Sequence, residues 1–166
     1  MDVTIPSDPS AIAAVRRAVE DLGVAIGLNE CAVGDVGLCV NEALANVMRH
    51  AYGGARDRSI VVRAWYEDGA LVVTIRDWGN GVNPASLRPK RYDPCEPGGL
   101  GLICLQRMMS EVSYVPQADG GMLLVMTKRK QGNKESECCK PQPQPRAAAP
   151  GPGRGGARTD RSEHGQ

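Results

Sequence analysis

The chain has 166 residues, with 20 Lys plus Arg against 19 Asp plus Glu and a formal net charge of +1, enough for one domain with a real core and short for two. Residues 1–130 carry 14 basic and 15 acidic side chains, so the core has no basic footprint and no direct nucleic-acid partner is expected. No apolar run approaches a membrane span, and Met1-Asp2-Val3 lacks the basic and apolar regions of a signal peptide, so a cytoplasmic chain with no membrane partner is expected.

Met1–Pro6 alternates as a short strand, and Ser7-Asp8-Pro9 then signals a helix start, a capping side chain before a Pro suited to the first turn. Ile12, Val15, Val19 and Leu22 recur at three and four residues and predict a helix with one buried stripe, ended by Gly23 or Gly27. Asn29 is placed to cap a second, longer helix whose apolar face is Val36, Val40, Ala43, Leu44 and Val47, weakened locally by Gly34 and Gly37 and stopped by Gly53-Gly54. At about 100° per residue, Glu42 and Asn46 project together away from Val40 and Val47, with Asp35, Cys39 and Arg49 nearby. A polar face therefore looks away from the core.

Ser59–Tyr66 and Ala70–Arg76 are rich in β-branched and aromatic residues, and Glu67-Asp68-Gly69 between them signals a tight hairpin. Val82–Pro97 holds four prolines and no periodicity and reads as a loop, before Leu100–Met109 resumes a helical pattern. Glu111–Val115, the turn Ala118-Asp119-Gly120-Gly121 and Met122–Thr127 close the domain with a hairpin. Helices gathered early and strands joined by hairpins predict an α+β, two-layer sandwich: a mixed, largely antiparallel sheet with helices on one face. From Gln131 onward Pro, Gly, Arg, Ser and Gln dominate, and 131–166 is expected to be a disordered tail outside the 1–130 domain. The six cysteines, Cys138 and Cys139 in that tail included, show no C-x-x-C pair and no metal-ligand spacing, so reduced thiols are expected.

Three segments fit together as a nucleotide site. Asp77, where a strand becomes loop, can accept from an exocyclic amine such as that of adenine, a charged hydrogen bond worth roughly 1.5 to 3 kcal/mol. Gly79 and Gly81 let backbone approach the base; the bland alternative is a plain Asp-x-Gly turn. Gly98-Gly99-Leu100-Gly101 precedes an apolar helix whose N-terminal amides can hold phosphate oxygens, although it is neither a Walker A loop nor a dinucleotide fingerprint and also suits a simple connector. Asn46 offers a neutral oxygen suited to Mg²⁺, Glu42 one turn earlier can serve as a base, and Arg49 one turn later can reach a phosphate. Alone, that trio reads more readily as an exposed amphipathic helix face.

The ordered set Asn41-Glu42-Ala43-Leu44-Ala45-Asn46-Val47-Met48-Arg49-His50-Ala51-Tyr52, Arg76-Asp77-Trp78-Gly79-Asn80-Gly81 and Gly98-Gly99-Leu100-Gly101-Leu102 closely resembles the anti-sigma factor serine/threonine kinases, of the ATPase superfamily shared by gyrase, histidine kinases and MutL. The resemblance covers residues 1 to 130. It implies a histidine kinase-like ATPase fold that uses ATP and Mg²⁺, with Glu42 as general base toward a protein serine or threonine hydroxyl and Asn46 on the metal. It implies further that Asp77 binds the adenine amine, that Gly79 and Gly81 line the base pocket, and that Gly99 and Gly101, with Leu100 and Leu102 beside them, hinge a lid over the phosphates. Arg49 would touch the phosphate chain, and Thr127 matches a threonine that assists Asp77. Arg16 falls near a position used to grip partners, and Arg88, Lys90 and Arg91 lie in the lid. Asn41 departs from the serine usual before the glutamate, and Ser110 stands where an aspartate is common.

The expected function is therefore that of an ATP-dependent protein serine/threonine kinase in transcription regulation, binding a sigma factor and phosphorylating an anti-anti-sigma, STAS-type protein, in a family that commonly forms homodimers. A non-catalytic module of the same fold, in which nucleotide only sets partner binding, is the alternative. A detached ATP-binding half of a histidine kinase fits less well, because no H-box helix pair precedes the domain.

Overall fold

The computed structural model describes residues 1–80 and 100–130. The expected loop at 82–97, with Arg88, Lys90 and Arg91, and the expected tail at 131–166 lie outside the described residues.

The chain begins as a strand, β1 (Asp2–Pro6), whose exit is set by Asp8: its carboxylate accepts the Ser10 amide at 2.8 Å and Pro9 opens a short tight turn. Helix α1 (Ile12–Ala25) follows and buries Val15 and Val19. Gly27, at φ 78°, ends it; Gly23 lies inside the helix, buried where α1 meets Leu28 and Val33. Asn29 caps α2 (Glu30–Asn46), accepting the Ala32 amide at 2.8 Å. The helix then widens into a π turn at Val47–Ala51 and stops at Gly53 and Gly54, both at positive φ.

Strands β2 (Ser59–Glu67) and β3 (Ala70–Asp77) form the expected hairpin, with Asp68 and Gly69 at positive φ in its turn. Helix α3 (Leu100–Met108) leads into β4 (Glu111–Pro116) and β5 (Met122–Arg129). The five strands order as β1-β2-β3-β5-β4, and every pairing among the described strands is antiparallel.

The core lies between the helices and one face of this sheet. Val62 and Ala64 of β2, Val73 and Ile75 of β3, and Leu124 and Met126 of β5 alternate inward against Val19 of α1 and Val36, Val40 and Leu44 of α2. Counting its π turn, the run Glu30–Ala51 is 22 residues long and holds an 18-residue window of mean hydropathy 1.2, enough by length and composition alone to cross a membrane, against the sequence expectation. Here it is the core helix of the domain, with half of that window buried.

The polar side of α2 is partly covered. Helix α3 packs along it: Cys39 is fully buried with its Sγ 3.9 Å from the Cys104 carbonyl, and Asp35 pairs with Lys128 at 2.7 Å. Lys128, 7% exposed, also donates to the carbonyl of Met108 at 2.5 Å, so one ammonium ties β5, α2 and the C-terminal end of α3 together. A cation at a helix C-terminus opposes the partial negative charge there. Burial pushes the Cys39 thiol up to about 12, which keeps it protonated.

Candidate functional site

Glu42 and Asn46 stand one turn apart at the end of α2, both partly buried. The first turn of α3 crosses directly over them. A methyl group on Gly101 would lie 3.1 Å from Glu42 Oε2 and 3.2 Å from Asn46 Nδ2, so any side chain here would push these two groups aside by a few tenths of an ångström. Two motifs separated by more than fifty residues are thus brought together, a carboxylate and a neutral amide lying against the first turn of a helix.

Asp77 is the last residue of β3, in phase with buried Val73 and Ile75, and is 3% exposed. Its Oδ1 accepts the Gly79 amide at 2.9 Å. Burial raises the carboxyl above its usual range, and the Gly79 amide, Arg76 and the Met122 amide pull part of that rise back.

The end of β3 docks on the π turn. A methyl on Gly79 would collide with the carbonyl of Ala51, and that carbonyl accepts the Asn80 amide at 3.2 Å. Beside it, the Tyr52 hydroxyl donates to the Ser59 carbonyl at 2.5 Å and accepts the Trp78 amide at 2.9 Å. Gly79 therefore has a packing duty, and the turn after Asp77 is fixed to the helix that carries Glu42 and Asn46. A groove of about 470 Å³, lined by Tyr52, Asp57, Arg58, Ser59 and Trp78, opens next to this junction.

The structure corrects one expected site residue and leaves others apart. Thr127 pairs with Val72, whereas Asp77 pairs with Met122, five positions along β5. At about 3.4 Å per residue that is roughly 17 Å, and the odd offset puts Thr127 on the opposite face of the sheet from Asp77. Thr127 therefore cannot assist Asp77; the neighbour across the strand is Met122, 7% exposed. Strand parity carries this signal in the sequence, since Met122, Leu124 and Met126 form the apolar face and Thr127 is out of phase with it. Tyr52 and Arg76 are further residues that the motif reading left without a role.

Arg49 lies in the π turn, exposed, and makes no hydrogen bond or ion pair among the described residues. Leu100 opens α3, and Leu102 is half-buried in its first turn. Arg16 on α1 lies 3.6 Å from Glu20, and its buried Nε has no hydrogen-bond partner among the described residues. Gly81 and Gly99 lie outside the described residues.

A family model for the histidine kinase-like ATPase domain matches residues 5–128. Among curated proteins, serine-protein kinase RsbW of Bacillus velezensis is 26% identical over 142 residues, covering 81% of this chain and 88% of that protein. The protein of the same name from Bacillus pumilus is 28% identical over 138 residues, 77% of this chain and 84% of its own length. Among solved structures, the RsbU and RsbW domains of a Mycobacterium tuberculosis protein match with a TM-score of 0.57 at 21% identity, over 78% of this chain and 31% of that one. The SiaB-SiaC complex from Pseudomonas aeruginosa matches with a TM-score of 0.57 at 18% identity, over 77% of this chain and 87% of that one. At these identities the two structures show the fold.

Proposed function

The chain belongs to the histidine kinase-like ATPase family, and from that premise we propose that it is an ATP-dependent protein serine kinase. The observation that carries the proposal is the approach of Gly101 to Glu42 and Asn46, which sets a carboxylate and a neutral amide against the first turn of α3. The serine-protein kinases among its relatives support it.

Phosphoryl transfer asks little covalent chemistry of a protein; positioning and charge stabilisation dominate. Glu42 orients the acceptor hydroxyl and takes its proton. Asp77 accepts the exocyclic amine of adenine on the oxygen side not held by Gly79, and the amides opening α3 receive phosphate oxygens. Asn46, a neutral amide one turn from Glu42, fits the few protein ligands that Mg²⁺ takes, and the bound ion would neutralise phosphate charge. Arg49, exposed on the π turn, reaches the phosphate chain in this reading.

The substrate is a serine or threonine of an anti-anti-sigma, STAS-type protein, and the competing partner is a sigma factor, gripped in part through Arg16 on α1. The chain acts in the cytoplasm, as a homodimer. Incubating it with cell extract and ATP or ADP, then mapping phosphosites on whatever co-purifies, tests the proposal. A phosphorylated serine or threonine on the partner retained with ADP and released with ATP is expected. Partners that bind in a nucleotide-dependent way and carry no new phosphate would leave the non-catalytic module instead.

A further inference from the structure

The strand end that carries Asp77 is gripped from the sheet face opposite the helices. Arg76 is out of phase with Ile75 and Asp77 and so points to that face. Its side chain is 12% exposed, and both terminal nitrogens of its guanidinium are engaged. It donates to the carbonyl of Asp77, to Asp119 Oδ1 at 2.6 Å and to the Gly120 carbonyl at 2.7 Å, and it lies 4.4 Å from the centre of the Trp78 ring. The Trp78 indole closes the ring of contacts by donating to Asp119 Oδ2 at 3.1 Å. The β4–β5 turn comes so near that a methyl on Gly121 would overlap the Asp77 carbonyl.

We propose that Arg76 and Asp119 are positioning residues for base recognition, fixing the backbone of Asp77 and Trp78 so that the Asp77 carboxylate meets the adenine amine at hydrogen-bonding distance and angle. The proposal rests on the reading of Asp77 as the base-binding carboxylate. Closing the β4–β5 turn would need only the ion pair between Arg76 and Asp119, and a pair with its acid 67% exposed contributes little alone. The donation to Asp77 and the stack on Trp78 instead hold the carboxylate's own backbone and the residue that follows it. A carboxylate that recognises one amine depends on such support, because hydrogen bonds weaken steeply with angle and distance.

The test uses the full chain and the affinities of ATP and GTP, read by displacement of a fluorescent nucleotide, for wild type, Arg76→Lys, Asp119→Asn and the double variant. Lysine keeps the charge but loses the planar fork and the stack. Each single variant is expected to weaken ATP about tenfold while leaving GTP within about twofold, and the double variant to be no worse than the poorer single one. Asp119 is exposed enough that its variant keeps the fold should Arg76→Lys not. A lowered melting midpoint with the wild-type ATP-to-GTP ratio intact, or a loss shared equally by both nucleotides, would overturn the positioning role. A wild-type chain with no preference for ATP over GTP would instead overturn the reading of Asp77 itself.

Discussion

Asp77→Asn separates what Asp77 does for the fold from what it does for a nucleotide. The side chain is 3% exposed and burial raises its pKa above the ordinary 3.8. A carboxyl whose folded pKa is raised contributes stability below its unfolded value and loses that contribution as pH rises through the folded value. At neutral pH the ionised Asp77 therefore costs stability, and an uncharged amide of the same shape relieves that cost while its oxygen still accepts the Gly79 amide. The nucleotide-free variant should melt no lower than wild type at pH 7.5. Adenine recognition moves the other way: losing a charged hydrogen bond of roughly 1.5 to 3 kcal/mol weakens ATP about 10- to 150-fold. The same logic makes wild-type ATP affinity fall in acid, with the fall centred above pH 3.8. Calorimetric titration of ATP beside thermal unfolding without nucleotide reads both effects. An Asp77→Asn variant that binds ATP as wild type does, or one that melts several degrees lower, refutes this account of the carboxylate.

Other substitutions probe the remaining joints of the site. Gly101→Ala adds about 1 kcal/mol of helix propensity, yet places a methyl 3.1 Å from Glu42, so phosphotransfer should fall about tenfold or more in a radiolabel assay with no drop in melting temperature. Gly79→Ala drives a methyl into the Ala51 carbonyl, which cannot move as a side chain would, and should cost about 2–3 kcal/mol in urea denaturation as well as ATP affinity. Lys128→Met strands Asp35 and the Met108 carbonyl and should cost about 3 kcal/mol, most of it regained when Asp35→Leu is added; an unimproved double variant would show that the ion pair itself is needed.

Local signals gave much of this architecture away. The Asn29 cap, the Gly53-Gly54 stop and the Asp68-Gly69 hairpin each have a chemical cause that acts within a few residues, and each stands where the residues placed it. What escaped depends on distant partners. Nothing local in residues 35–46 announces that α3 partly covers the polar face of α2, and nothing near Lys128 in the chain announces that Asp35 and the Met108 carbonyl meet its ammonium. Gly23 looked like a helix stop because its role, admitting Leu28 and Val33, is a tertiary one. Thr127 was the legible error: strand parity alone sets it on the other face from Asp77, and similarity of residue type to a family position outweighed the alternation.

We propose that the paired Glu42 and Asn46 serve phosphate transfer and that Glu42 takes the hydroxyl proton. The most direct measurement is single-turnover transfer of labelled γ-phosphate from ATP to the partner protein by wild type and Glu42→Gln, with ATP affinity measured on the same preparations. The glutamine variant should bind ATP within about twofold of wild type and transfer phosphate at least about 10²-fold more slowly. Transfer at the wild-type rate by Glu42→Gln would contradict the account.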